Sequence, residues 1–134
     1  MSLKPVWIIL AAPIDLAELA ITHLSGQFPG LVAERYEFGF SITSEEGARL
    51  FLHDSNALDD FEPSERVQLA AWNLAGYAQS VESKDPHLTI ELIARLSKLT
   101  DLAIDDDMGL LLRAKEFNAL KPEQQVSFLI GNGI

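Results

Sequence analysis

Carboxylates gather at two places along this chain, and each place could do a different kind of chemistry. Asp105, Asp106 and Asp107 are consecutive, and clustered carboxylates are hard ligands for calcium or magnesium. The spacing argues against that use. In an EF-hand loop Asp105 and Asp107 would fill the first two ligand positions, but Gly109, which offers no side-chain oxygen, takes the next. The triplet therefore reads as the acidic turn of a hairpin. A second group, Asp54, Asp59, Asp60, Glu62 and Glu65, precedes an apolar helical stretch. Its negative charge favours the positive end of that helix, and its surplus makes a patch suited to a basic partner.

The remaining reactive side chains do not combine. His23, His53 and His87 show no i, i+4 pair and no H-E-x-x-H frame, so nothing local supports zinc. His53 and Asp54 resemble an acid/base pair only along the chain, because neighbours on a strand point to opposite faces. No G-x-S-x-G elbow is present, and Ser25-Gly26 is a helix end. Gly39, Gly47 and Gly109 are isolated, so no glycine-rich loop can cradle phosphates, and Gly131-Asn132-Gly133 is a chain end. With no cysteine, thiolate chemistry and disulfides are excluded. No catalytic residue, metal ligand or cofactor is assigned on this reading.

What positions a usable surface is the stretch 34–54, where two alternating runs flank an acidic turn. Tyr36, Phe38, Phe40 and Ile42 share one face of the first run; Arg35, Glu37, Gly39, Ser41 and Thr43 share the other. Ala48, Leu50 and Leu52 alternate with Arg49, Phe51 and His53 in the second run. A two-residue loop would set core against charge. A three-residue loop, Glu45-Glu46-Gly47, opposes Ser44 to Ala48, Ile42 to Leu50 and Phe40 to Leu52, so the apolar faces coincide. Gly47 then takes the left-handed position of such a loop. On the outer face Phe51 lies between Arg49 and His53 and opposite Ser41, an aromatic ringed by polar groups as in binding hot spots.

A chain of 134 residues is near the usual size of one domain, and 48% hydrophobic against 22% charged residues is an ordinary globular balance. The formal net charge of −10 repels nucleic-acid backbones and anionic membrane surfaces and favours basic partners. The apolar run Val6–Ala12 is short, is stopped by Pro13 and is followed by Asp15 and Glu18, so a buried strand leading into a helix is expected rather than a secretory signal. No run reaches the ~20 apolar residues of a membrane helix. The expected location is the cytoplasm.

In chain order the patterns give a central strand at Val6–Leu10; a helix from Pro13 to Gly26; the 34–54 hairpin; and a long, sandwiched helix from Pro63 to Val81. A third helix opens at Asp85-Pro86 beside the second, with Leu88, Leu92, Ile93, Leu96 and Leu99 inward. A second hairpin joins Leu102–Ile104 to Leu110–Leu112, and a last helix opens at Pro122. The first strand and the Glu34 strand, joined by a helix, should form a parallel right-handed crossover. The order β-α-β-β-α-α-β-β-α belongs to the α+β class, with helices on one face of a mainly antiparallel sheet of about five strands, and suggests a ferredoxin-like core with an added hairpin.

The expected function is that of a single-domain, non-catalytic protein-binding module. Its surface would comprise Arg35, Glu37, Ser41, Arg49, Phe51, His53, Asp59 and Asp60, and its partner would be a basic protein or a second copy of the chain. The alternative is a ligand pocket or enzyme site between sheet and helices, built from His53, Tyr77, His87 or Arg113. In composition alone the chain is similar to toxin-neutralising immunity proteins, which are small, acidic and cysteine-free.

Overall fold

The computed structural model describes residues 5–53, 56–83, 85–107 and 109–134. The strands are β1 (Val6–Leu10), β2 (Val32–Tyr36), β3 (Gly39–Thr43), β4 (Arg49–His53), β5 (Tyr77–Ser83), β6 (Ala103–Asp105) and β7 (Leu111–Arg113). The helices are α1 (Leu16–Leu24), α2 (Pro63–Ala71), α3 (Pro86–Ser97), α4 (Ala114–Asn118) and α5 (Pro122–Leu129), with a 3-10 turn at Leu58–Asp60. The strands form one sheet in the order β2-β3-β4-β5-β1-β6-β7, with every neighbouring pair antiparallel. The α+β class holds. Seven strands replace the expected five, one more than a ferredoxin-like core with a single added hairpin would have.

β1 is central, as its two apolar faces require. Val6, Ile8 and Leu10 enter the larger core, and Ile9 enters a smaller core on the opposite face. The larger core is covered by α1, α3, α4 and α5, and its largest fully buried side chains, Phe117 and Phe128, meet edge to face at 5.7 Å. The smaller core joins Ile9, Ala78 and Ala103 of the sheet to Leu69 of α2 and to Leu74. Helices therefore lie on both faces, not one. Leu99, expected inside, is 60% exposed because it falls beyond the last turn of α3.

The register deduced for the second turn is the one observed: Ile42 opposes Leu50, Phe40 opposes Leu52, and the Ser44 N–H donates to the Ala48 carbonyl at 2.9 Å across the Glu45-Glu46-Gly47 loop. The first run, however, is two strands. β2 and β3 turn back at Glu37-Phe38, with Tyr36 opposite Gly39 and Arg35 opposite Phe40. Gly39 permits this, since a Cβ there would lie 1.9 Å from the Leu52 carbonyl oxygen. Folding the run in two inverts the faces before the turn: Arg35 lies with Phe40 on the core side, its guanidinium 4.8 Å from that ring's centroid, while Tyr36 lies with Phe51. The parallel crossover is corrected as well. β1 and β2 run in the same direction but have three strands, β3, β4 and β5, between them.

The long second helix is a helix followed by the central strand β5. α2 ends at Ala71, where Asn73 takes a left-handed conformation (φ 59), Leu74 N–H donates to Leu69 O and Asn73 N–H to Ala70 O. This is the Schellman ending, with its apolar contact made by Leu74 and Leu69 in the smaller core. The apolar residues after it, Ala78 and Val81, suit either period, and β5 uses them on opposite faces. α2 buries only Leu69, and Val67 is 71% exposed, so the helix is not sandwiched; β5 also separates it in sequence from α3.

Candidate functional site

α2 covers only part of its side of the sheet. It sits over β5, β1 and β6, where Trp7 meets Phe61 edge to face at 6.1 Å, and the β2-β3-β4 meander extends beyond it. On this open side Tyr36 and Phe51 pack edge to face at 6.3 Å, and the Arg49 guanidinium lies 5.7 Å from the Phe51 ring. His53 Nε2 lies 3.8 Å from Glu82 Oε1 of β5, which opposes Phe51 in the register. Ser41 faces Phe51 from β3. All these side chains are half-buried, so a partner meeting them would complete their desolvation.

The structure thus gathers Ser41, Arg49, Phe51 and His53 on one face and adds Tyr36 and Glu82. Arg35 lies on the other face, and Glu37 lies in the turn. Asp54, the acidic neighbour of His53, lies outside the described residues, as do Ser55, Lys84, Met108 and residues 1–4.

The two acidic groups separated in sequence meet on the α2 side of the sheet. A cavity of about 440 Å3 is lined by Asp60, Phe61, Glu62, Ser64, Glu65, Asp105, Asp107 and Gly109. Asn56 ties the preceding loop to β5, accepting the Ala78 N–H at 3.0 Å, and Glu65 closes the first turn of α2 by accepting the Glu62 N–H at 3.2 Å. Asp59 points outward, 3.7 Å from Arg66. From below, Asp105 stands on β6 opposite Trp7 and is 5% exposed. Burial pushes its carboxyl up to about 7; a hydrogen bond with the Glu65 side chain adds to the rise, and the Asp107 N–H, donating to Oδ1 at 2.6 Å, opposes it. A protonated Asp105 can donate to the Glu65 carboxylate.

Asp106 and Asp107 begin the turn of the β6-β7 hairpin, as their composition implies, while Asp105 is the last residue of β6. Asp106 Oδ1 accepts the Leu110 N–H at 2.9 Å, and Asp107 is left-handed (φ 61). Glu116, at the twelfth position of a loop counted from Asp105, instead accepts the Arg113 N–H at 3.1 Å. Among the described residues no three His, Asp or Glu side chains are arranged to hold a metal ion. The Asp105–Glu65 pairing was not legible in sequence; the one available signal was a carboxylate at a strand position that alternates with buried Ala103.

The four residues of the pocket alternative do not converge. His53 is on the open face; Tyr77 faces the larger-core side beside a small cavity; His87 is exposed in the first turn of α3; Arg113 bonds Asp101 at 2.6 Å and lies over Trp72. Among the described residues no helix is long and apolar enough to cross a membrane. The chain matches no protein-family model, and no curated protein and no solved structure matches it significantly.

Proposed function

We propose that this chain is a cytoplasmic protein-binding domain without catalysis, of an adaptor or immunity type, that engages a basic partner through the open face of its β2-β3-β4 meander. The observation that carries the reading is the half-covered sheet: α2 shields one part of its face and leaves the Tyr36–Phe51 pair, with Arg49 upon it, only half-buried. Antiparallel sheets tolerate a wet face, but that face is then normally polar. An aromatic pair flanked by arginine, histidine and glutamate has the composition of an interface centre. The partner's charge follows from the acidic cavity on the same side of the sheet and from the net charge of −10, which would speed association with a basic surface and oppose pairing with a second copy.

The test is Phe51→Glu, compared with the wild-type chain as bait in extracts of the native host. The expected result is a basic protein retained by wild type, released by salt and bound at least about thirtyfold more weakly by the variant, as for a hot-spot residue. The variant should keep its fold, its thermal midpoint falling by no more than a few degrees. If it unfolds, Phe51 is core. If both baits retain the same proteins equally, the open face is not the binding surface.

A further inference from the structure

We propose that the opposite side of the sheet holds a site for a small uncharged molecule carrying an amide-type hydrogen-bonding edge, with Gln79 as its reader. Gln79 stands on β5 opposite Ile8 of β1 and is 7% exposed. Its side chain makes no hydrogen bond to another described residue and lines a cavity of about 150 Å3 between the sheet and the start of α1. The residue is buried while its amide atoms are not sealed from the cavity, so whatever enters there, water or a ligand, supplies their partners.

The walls define that something. Ile14, Leu16, Ala17, Phe40 and Leu52 are apolar and accommodate a short carbon body, and Tyr77 completes the lining beside Gln79. Leu16 and Ala17 are also the first two positions of a nine-residue helix, whose N–H groups have no acceptor within the helix. The next N–H, that of Glu18, is already taken by the Asp15 carboxylate at 3.0 Å. An anion would meet Asp15, the one charged residue lining the cavity among the described residues, while a cation, though drawn to that carboxylate, would meet the positive end of α1 and lose its hydration against mostly apolar walls. A neutral ligand meets neither cost. The glutamine amide presents a donor and an acceptor side by side, which is the complement of another amide edge. The volume is about that of five water molecules at liquid density, so the ligand is small.

Titration of the full 15N-labelled chain with propionamide tests this directly. Saturable shifts are expected at the Gln79 side-chain NH2 and at the backbone amides of Leu16 and Ala17. Sodium propionate and propylammonium chloride, equal in size but charged, should bind at least tenfold more weakly. Gln79→Leu should abolish the saturable shifts while leaving the other resonances in place. Should that variant fail to fold, Ala17→Val, which fills the cavity from the helix side, should have the same effect on propionamide. The proposal is overturned if propionamide gives no saturable shift, as a cavity that holds only water would, if a charged probe binds as well as the neutral one, or if neither variant weakens the response.

Discussion

Asp105 shows how far one residue's behaviour depends on a neighbour that sequence spacing hides. Its place at the head of an acidic turn was legible, because consecutive aspartates close to a glycine are turn formers. Its partner Glu65 was not, since the pairing requires the start of α2 to lie over β6, and the apolar pattern placed that helix beside α3 instead. The consequence is a pH dependence of definite sign. The native carboxyl, pushed up to about 7 from an ordinary 3.8, keeps its proton over a range in which the unfolded chain has released it. The stability it contributes is therefore fully present below about pH 4 and is lost as pH rises through about 7. Asp105→Asn imitates the protonated form, retaining an acceptor for the Asp107 N–H and a donor for Glu65. Urea unfolding of the two proteins should give nearly equal stabilities at about pH 4, and the variant should be more stable by about 1–3 kcal/mol at about pH 8. Parallel profiles across that range would mean that Asp105 is not held protonated by the fold.

Among the elements, those with one unambiguous period were readable and those with two compatible readings were not. β1, α3 and the β6-β7 hairpin lie where periodicity and caps placed them, and Asp85 accepts an N–H group of α3; α1 is present but starts at Leu16 rather than Pro13, because Asp15 is its cap and accepts the Glu18 N–H. The failures are the two long runs. Residues 34–43 alternate without interruption, yet β2 and β3 divide them, because the only glycine in the run sits where the Leu52 carbonyl approaches. Residues 63–81 keep an apolar spacing compatible with a helix, yet Asn73 ends it and Gly76 fixes the strand that follows: a Cβ on Gly76 would lie 1.8 Å from the Ala11 carbonyl oxygen. Both glycines are demanded by backbone approach rather than by turn angles, which sequence pattern does not register. Gly76→Ala should therefore cost about 2–3 kcal/mol in urea unfolding, as overpacking against an immovable backbone does. Gly47→Ala, at a left-handed position (φ 89) with no heavy atom within 4 Å of the added carbon, should cost only about 1–2 kcal/mol. Equal losses would mean that the β5-to-Ala11 approach yields more readily than its geometry implies.

For the whole molecule, the open face is usable only if the sheet does not consume it by pairing with itself. The β7 edge is short, three residues long, and runs directly into α4. The β2 edge is the vulnerable one: five residues with Val32, Ala33, Glu34 and Arg35 all exposed. Protection there rests on charge. Antiparallel pairing of two β2 strands centred on Glu34 sets that carboxylate against its own copy, and the net charge of −10 opposes the encounter at any register. Glu34→Val removes the central charge and leaves an apolar stretch beside Tyr36, on the same side as Phe51. Sedimentation equilibrium should find the wild-type chain monomeric at low ionic strength and the variant in a concentration-dependent dimer that salt strengthens by screening the residual repulsion. A wild-type dimer would transfer the open face to self-association and remove the case for a foreign basic partner. A variant that stays monomeric would place the protection in Arg35 or in the twist of the edge, and the face beside it would still be free to bind.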